Sequence, residues 1–173
     1  MKNKNIKLLT YSSLLIAISI IIPIQFRFLR IEIGPFSATI LSHLPLFLSM
    51  MISPFSAVIV GIGSTVGFFI AGSAPWIVAR AATHIVVGFV GAKLFKKGVN
   101  FISIIAITAP IHGGLELLSV LPWYGFDLYK LLVVVALGTV VHHGVDGTIT
   151  YILSNALDKA TGKKFYENVS INK

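Results

Sequence analysis

The sequence predicts an all-α integral membrane protein, a bundle of six transmembrane helices with both termini in the cytoplasm. Of the 173 residues, 55% are hydrophobic and 12% charged, and the mean hydropathy is +0.89. A water-soluble domain of this size needs a polar exterior, whereas a bilayer replaces water around a helical bundle. Six apolar segments of roughly spanning length can be drawn, and the lysines gather at their flanks.

The first segment covers about residues 6–24 and is followed by FRFLRIEIGP, a loop carrying Arg27, Arg30 and Glu32. Bulky residues follow it where a signal peptide would have a small-x-small cleavage site, so it is expected to be retained. The second segment, about 36–52, and the third, about 55–71, are the shortest and are expected to be tilted or partly irregular. GSAP leads into the fourth, about 76–95. The fifth, about 101–121, is separated by PWYGFD from the sixth, about 128–153, and a polar tail covers about 162–173. The whole chain, 1–173, reads as one membrane domain.

Lys2, Lys4 and Lys7, the KLFKKG loop and KATGKK all fall on one side of a six-crossing bundle. The positive-inside rule makes that side cytoplasmic; Arg27 and Arg30 argue the other way but are outnumbered. The net charge of +8 is thus a topology signal and not a nucleic-acid surface. With no GxxxxGK[ST] loop the chain has no ATPase of its own, and with zero cysteines it has no thiol chemistry.

Three ionisable pairs lie four residues apart inside apolar segments: Arg80/His84, His112/Glu116 and His142/Asp146. That spacing puts both members on one helix face, and ionisable groups at such depth demand a bundle interior, a partner or water. Counted from the outer helix ends, Arg80 and Glu116 lie roughly 6–8 Å deep, and His43, His84 and His112 roughly 10–14 Å. His142, His143 and Asp146 are expected deeper, with His142 and Asp146 as a pocket floor or a helix-binding base. Arg80 and Glu116 read either as ligand contacts or as a structural ion pair. Trp76, Trp123 and Tyr124 read either as an interfacial belt or as a lid stacking on a flat ring.

A metal site built from His84, His112, Glu116 and His142 was weighed against the absence of HxxxH or HExxH and is not expected. The adjacent His142 and His143 point about 100° apart, which disfavours both facing one ion. Gly63 with Gly67, and Ser13 with Ala17, form small-xxx-small motifs that let helix backbones approach closely.

Six short helices, a long first outer loop and no ATPase resemble the substrate-binding S component of energy-coupling factor vitamin transporters. The stretches FSATILSHLPLFLSMMISPFSAVIVGIGSTVGFFIAG and WIVARAATHIVVGFVGAKL carry the resemblance, which is greatest to the niacin-specific type. It implies that the chain binds a vitamin from outside, while a transmembrane coupling protein and two ATPases drive release. The matching docking motif is Ser13 and Ala17, where the usual form has alanine at both positions. The implied substrate site comprises Arg80, His84, His112, Glu116 and the PWYGFD loop with Trp123 and Tyr124; His43, His142 and Asp146 adjoin it. No cofactor and no enzymatic activity are implied.

Nicotinate matches Arg80 through its carboxylate and an aromatic residue or histidine through its ring. Glu116 would repel that anion unless paired, so pyridoxine, a queuosine precursor or an amino acid also fits. The chain begins Met1-Lys2, unlike the Met-His of nickel and cobalt subunits. Two other classes stay open: a self-sufficient proton- or ion-coupled carrier with His142 and Asp146 as relay, and an intramembrane enzyme using the same polar groups.

Overall fold

The computed structural model describes residues 2–165. Its elements are helix α1 (Lys2–Gln25), strands β1 (Arg30–Ile33) and β2 (Phe36–Thr39), and helices α2 (Leu44–Met50), α3 (Pro54–Ile70), α4 (Pro75–Lys96) and α5 (Phe101–Tyr124). A π-helical segment, Tyr129–Leu137, then runs directly into α6 (Gly138–Thr161). The polar tail expected over 162–173 lies outside the described residues beyond Phe165.

Among the described residues, four helices are long and apolar enough to cross a membrane: Asn5–Gln25, Pro75–Lys96, Phe101–Tyr124 and the continuous Tyr129–Thr161. Helix α3, apolar but only 17 residues long, extends about 25 Å against a hydrocarbon core of about 30 Å.

The second expected segment differs most from its prediction. The helix expected over about 36–52 occupies only Leu44–Met50, and Phe36–Thr39 pairs instead with Arg30–Ile33 as an antiparallel hairpin. Ile33 faces Phe36 across the two-residue turn Gly34–Pro35, and Gly34 supplies the positive φ of 55° that tight hairpin turns favour. The chain then turns through Leu41, itself at φ 72°, and becomes helical only where Pro45 fixes the first turn. The apolar run through this region forms a short, buried helix. Residues Pro45 to Met50 are all buried, and Leu46, Phe47 and Met50 join Val60, Val87 and Ile104 in the central core. A short helix apolar all round belongs inside a protein.

Local signals set the other boundaries. Ser53 caps α3 by accepting from Ser56 N at 3.0 Å, with Pro54 at the first helical position. Asn100 caps α5 by accepting from Ser103 N at 2.9 Å. Gly63 and Gly67 serve the α1–α3 crossing: a Cβ on Gly63 would meet Ser19 Oγ at 2.6 Å, and one on Gly67 the Ile20 backbone at 2.7 Å. At Gly67 the approach is backbone to backbone and excludes any side chain.

Candidate functional site

The hairpin is fastened over one end of the bundle. Arg30 donates to Ser73 Oγ at 2.9 Å, in the α3–α4 connection, and pairs with Glu32 at 2.7 Å. Tyr124 donates to the Gly34 carbonyl at 3.4 Å. Arg80 reaches from the first turns of α4 to the hairpin, donating from Nη1 to Pro35 O (3.2 Å) and Ser37 Oγ (3.0 Å) and from Nη2 to Ser37 O (2.9 Å). The Phe36 ring lies 5.1 Å from the guanidinium carbon, within cation–π range.

Across the α4–α5 interface Glu116 Oε2 accepts from Arg80 Nε at 3.0 Å and Nη2 at 2.6 Å, and also from the Thr139 hydroxyl of α6. Its other oxygen, Oε1, lies 3.2 Å from His112 Nε2. Both partners are buried, Arg80 3% and Glu116 5% exposed.

Below this pair lies a histidine cluster. The His43 ring is central, with centroids 4.7 Å from His84, 4.8 Å from His112, 4.6 Å from His142 and 5.5 Å from His143. His43 precedes α2 directly, so the turn out of the hairpin places it here. Asp146 holds that turn, accepting from Leu41 N and His43 N at 3.0 Å each and from His43 Nδ1 at 2.9 Å. His84 Nδ1 is hydrogen-bonded to Ser64 Oγ (2.9 Å), His112 Nδ1 to His143 Nδ1 (3.1 Å), and His143 Nε2 to Thr108 Oγ1 (3.0 Å). His142 Nε2 is hydrogen-bonded to Ser42 Oγ at 3.2 Å.

A narrow cleft of about 20 Å3 opens between hairpin and helices, room for a water molecule and not yet for a ligand. Arg80, His84, Glu116, His43 and His142 line it, with Ser37, Thr39 and Ser42 from the hairpin side and Phe68, Ile77 and Ala81 as its apolar wall.

The structure therefore brings together Arg80, His84, His112, Glu116, His43, His142 and Asp146. His142, expected on a deeper floor, lines the same cleft as Arg80; the turn that carries Ser42 and His43 bridges the two layers. Asp146 acts through His43 and the turn and is not among the lining residues. Trp123 is 45% exposed on the exterior, while Tyr124 packs edge-on against Trp76 at 5.8 Å. Neither lines the cleft, whose aromatic wall is Phe68 and the imidazoles. Gly147 does serve close packing, since a Cβ there would meet Ile105 at 2.7 Å. Ser13 and Ala17 lie on the exposed face of α1, opposite the buried Ser12, Leu15 and Ser19.

Sequence reasoning left out Ser37, Ser64, Thr139 and His143. The hydroxyls gave no signal above the many other serines and threonines. His143 stands out beside His142, but side chains about 100° apart do not converge on one ion, and nothing else in the sequence gives His143 a site role.

The niacin transporter NiaX of Lactococcus lactis subsp. cremoris (strain MG1363) is 33% identical over 174 residues, covering 92% of this chain and 78% of that protein. The chain belongs to the NiaX family of niacin transporters. The niacin-type resemblance is thereby the right one, and the relative that shows it is a transporter. The four apolar helices make this chain a multi-pass membrane protein of that family. No protein-family model and no solved structure matches it.

Proposed function

We propose that this chain is the substrate-specificity subunit of an ATP-driven energy-coupling factor importer and that it binds nicotinate in the cleft beneath the hairpin. The observation that carries this reading is the buried Arg80 at the cleft wall, flanked by imidazoles, in a relative of a niacin transporter. Arg80 turns its planar fork to the carboxylate as the hairpin oxygens of Pro35 and Ser37 give way and the cleft widens, and the Arg80 charge offsets the repulsion between Glu116 and an anion. His43 or His142 faces the ring nitrogen, and Phe68 with Ile77 supports the ring face.

In this reading the bundle crosses the membrane six times, with the short α2 and the hairpin together filling the second passage. Both termini are cytoplasmic and the hairpin faces outside, so the vitamin enters from that side. Release requires a transmembrane coupling protein docking on the Ser13/Ala17 face and two ATPase subunits, since the chain has no nucleotide-binding loop.

Calorimetric titration of the purified protein with nicotinate tests the ligand. Saturable binding at micromolar concentration is expected, lost in Arg80→Ala. No heat at that concentration, with pyridoxine or another zwitterion binding instead, overturns the niacin assignment. Concentrative uptake by liposomes containing this chain alone would replace the subunit reading with a self-sufficient carrier.

A further inference from the structure

Three histidines of the cluster share one arrangement. His84, His112 and His43 each use Nδ1 for an outward hydrogen bond, to Ser64, His143 and Asp146 respectively. This leaves Nε2 of each ring for another partner. The Nε2 atoms of His43 and His112 are fully buried and have no hydrogen bond. An orphaned buried nitrogen forfeits its hydration with nothing in return, and two of them sit on rings whose centroids are 4.8 Å apart.

His112 Nε2 lies 3.2 Å from Glu116 Oε1, yet their alignment does not make a hydrogen bond. Two lone-pair atoms side by side at that distance fit another geometry. With metal–nitrogen and metal–oxygen bonds of about 2.0–2.2 Å, the edge of a tetrahedral site is about 3.4 Å. Glu116 has Oε1 free for this role, because Arg80 and Thr139 occupy Oε2. One ligand atom from each of His84, His112 and Glu116 falls within 4.8 Å of the others, all three residues buried. The outward Nδ1 bonds are the supports that metal-ligating histidines use to fix tautomer and ring orientation.

We propose that His84, His112 and Glu116, with His43 beside them, hold a divalent transition-metal ion of the zinc class at the foot of the cleft, and that its open position takes the pyridine nitrogen of the vitamin. Imidazole and carboxylate donors suit zinc, nickel or cobalt rather than calcium or magnesium. With both carboxyls ionised, Arg80, Glu116 and Asp146 carry one net negative charge; a divalent ion turns this to one positive, which a monocarboxylate neutralises. The second half of the proposal rests on the nicotinate reading; the first does not.

The test uses full-length protein purified without a polyhistidine tag, stripped with chelator and titrated with Zn2+ alone. About one equivalent is expected to bind. His84→Ala and His112→Ala should each weaken binding by more than the ~10–100-fold that loss of a supporting group costs. Ser64→Ala should weaken it about tenfold. It removes one hydroxyl and carries the decision where an alanine ligand variant does not fold. No uptake by the wild type, or uptake unchanged in all three variants, overturns the site. Nicotinate is then titrated into stripped and zinc-loaded protein, with tighter binding expected in the loaded form. Equal nicotinate binding with no zinc uptake rejects the metal and keeps the transport reading. Zinc uptake without nicotinate binding does the reverse.

Discussion

Arg80 engages Glu116 with two of its five N–H groups and the hairpin with the other three, so one side chain ties α4 to both α5 and the first loop. A carboxylate that binds Arg80 must therefore share it with Glu116 or displace the oxygens of Pro35 and Ser37. If Arg80 holds the substrate carboxylate, as proposed, binding and hairpin position are mechanically linked at one residue.

That linkage separates stability from binding. Arg80→Ala leaves a buried carboxylate alone and should destabilise the protein by about 3–5 kcal/mol. The double replacement Arg80→Met with Glu116→Leu removes both charges at similar volume and should recover most of that loss. Nicotinate affinity should stay lost in the double variant. Thermal unfolding in detergent and ligand titration on the same samples check both; recovered binding would take Arg80 out of the site.

Asp146 illustrates a functional-looking group with a structural duty. It accepts from the backbone N–H groups of Leu41 and His43, and Leu41 is left-handed at φ 72°, a conformation that costs a non-glycine residue about 1–2 kcal/mol. Asp146→Asn keeps one acceptor oxygen and should cost about 1–3 kcal/mol. Leu41→Gly relieves the backbone strain and should raise the unfolding temperature by itself, and partly offset the loss in the double variant. A lower unfolding temperature for Leu41→Gly alone would show that the leucine side chain outweighs its strain.

The long helices and the clustering of the spaced pairs were legible because both rest on periodicity. Apolar runs mark spans, and a four-residue spacing marks a face. The hairpin was not legible, because FSAT and the apolar run after it read continuously as one helix. The break comes from Gly34 and Leu41, whose positive φ values are tertiary outcomes. His143 was missed for a geometric reason. Adjacent side chains diverge on their own helix, but His43 comes from another element and packs against both His142 and His143. The hairpin carbonyls that accept from Arg80 have no side-chain signature at all.

At the start of the last helical segment, Asp127 accepts from Lys130 N at 3.1 Å and pairs with Lys130 Nζ at 3.0 Å. The Lys130 hydrogen bonds hold its carboxyl below the usual value. A depressed folded value means the stabilisation is present above the unfolded pKa and fades as pH falls through the folded one. Wild type should therefore be more stable than Asp127→Asn at neutral pH, with the gap closing as pH falls below about 4, the unfolded value, and through the lowered folded one. Melting curves of the two proteins across that range check it, and a constant gap would remove the ionised carboxyl as the cause.

Ser13 and Ala17 are small and exposed on α1, while the opposite face of the same helix packs on α3 through Gly63 and Gly67. A small exposed surface on a membrane helix costs little to leave against lipid but allows close approach by another helix. Ala17→Trp fills that surface without touching the cleft or the α1–α3 crossing. If a coupling protein docks there, ATP-driven nicotinate uptake by the reconstituted complex should fall at least tenfold. Nicotinate affinity of the isolated chain should not change. Full uptake with tryptophan at position 17 would move the docking surface elsewhere, and weakened binding in the isolated chain would mean that α1 communicates with the cleft.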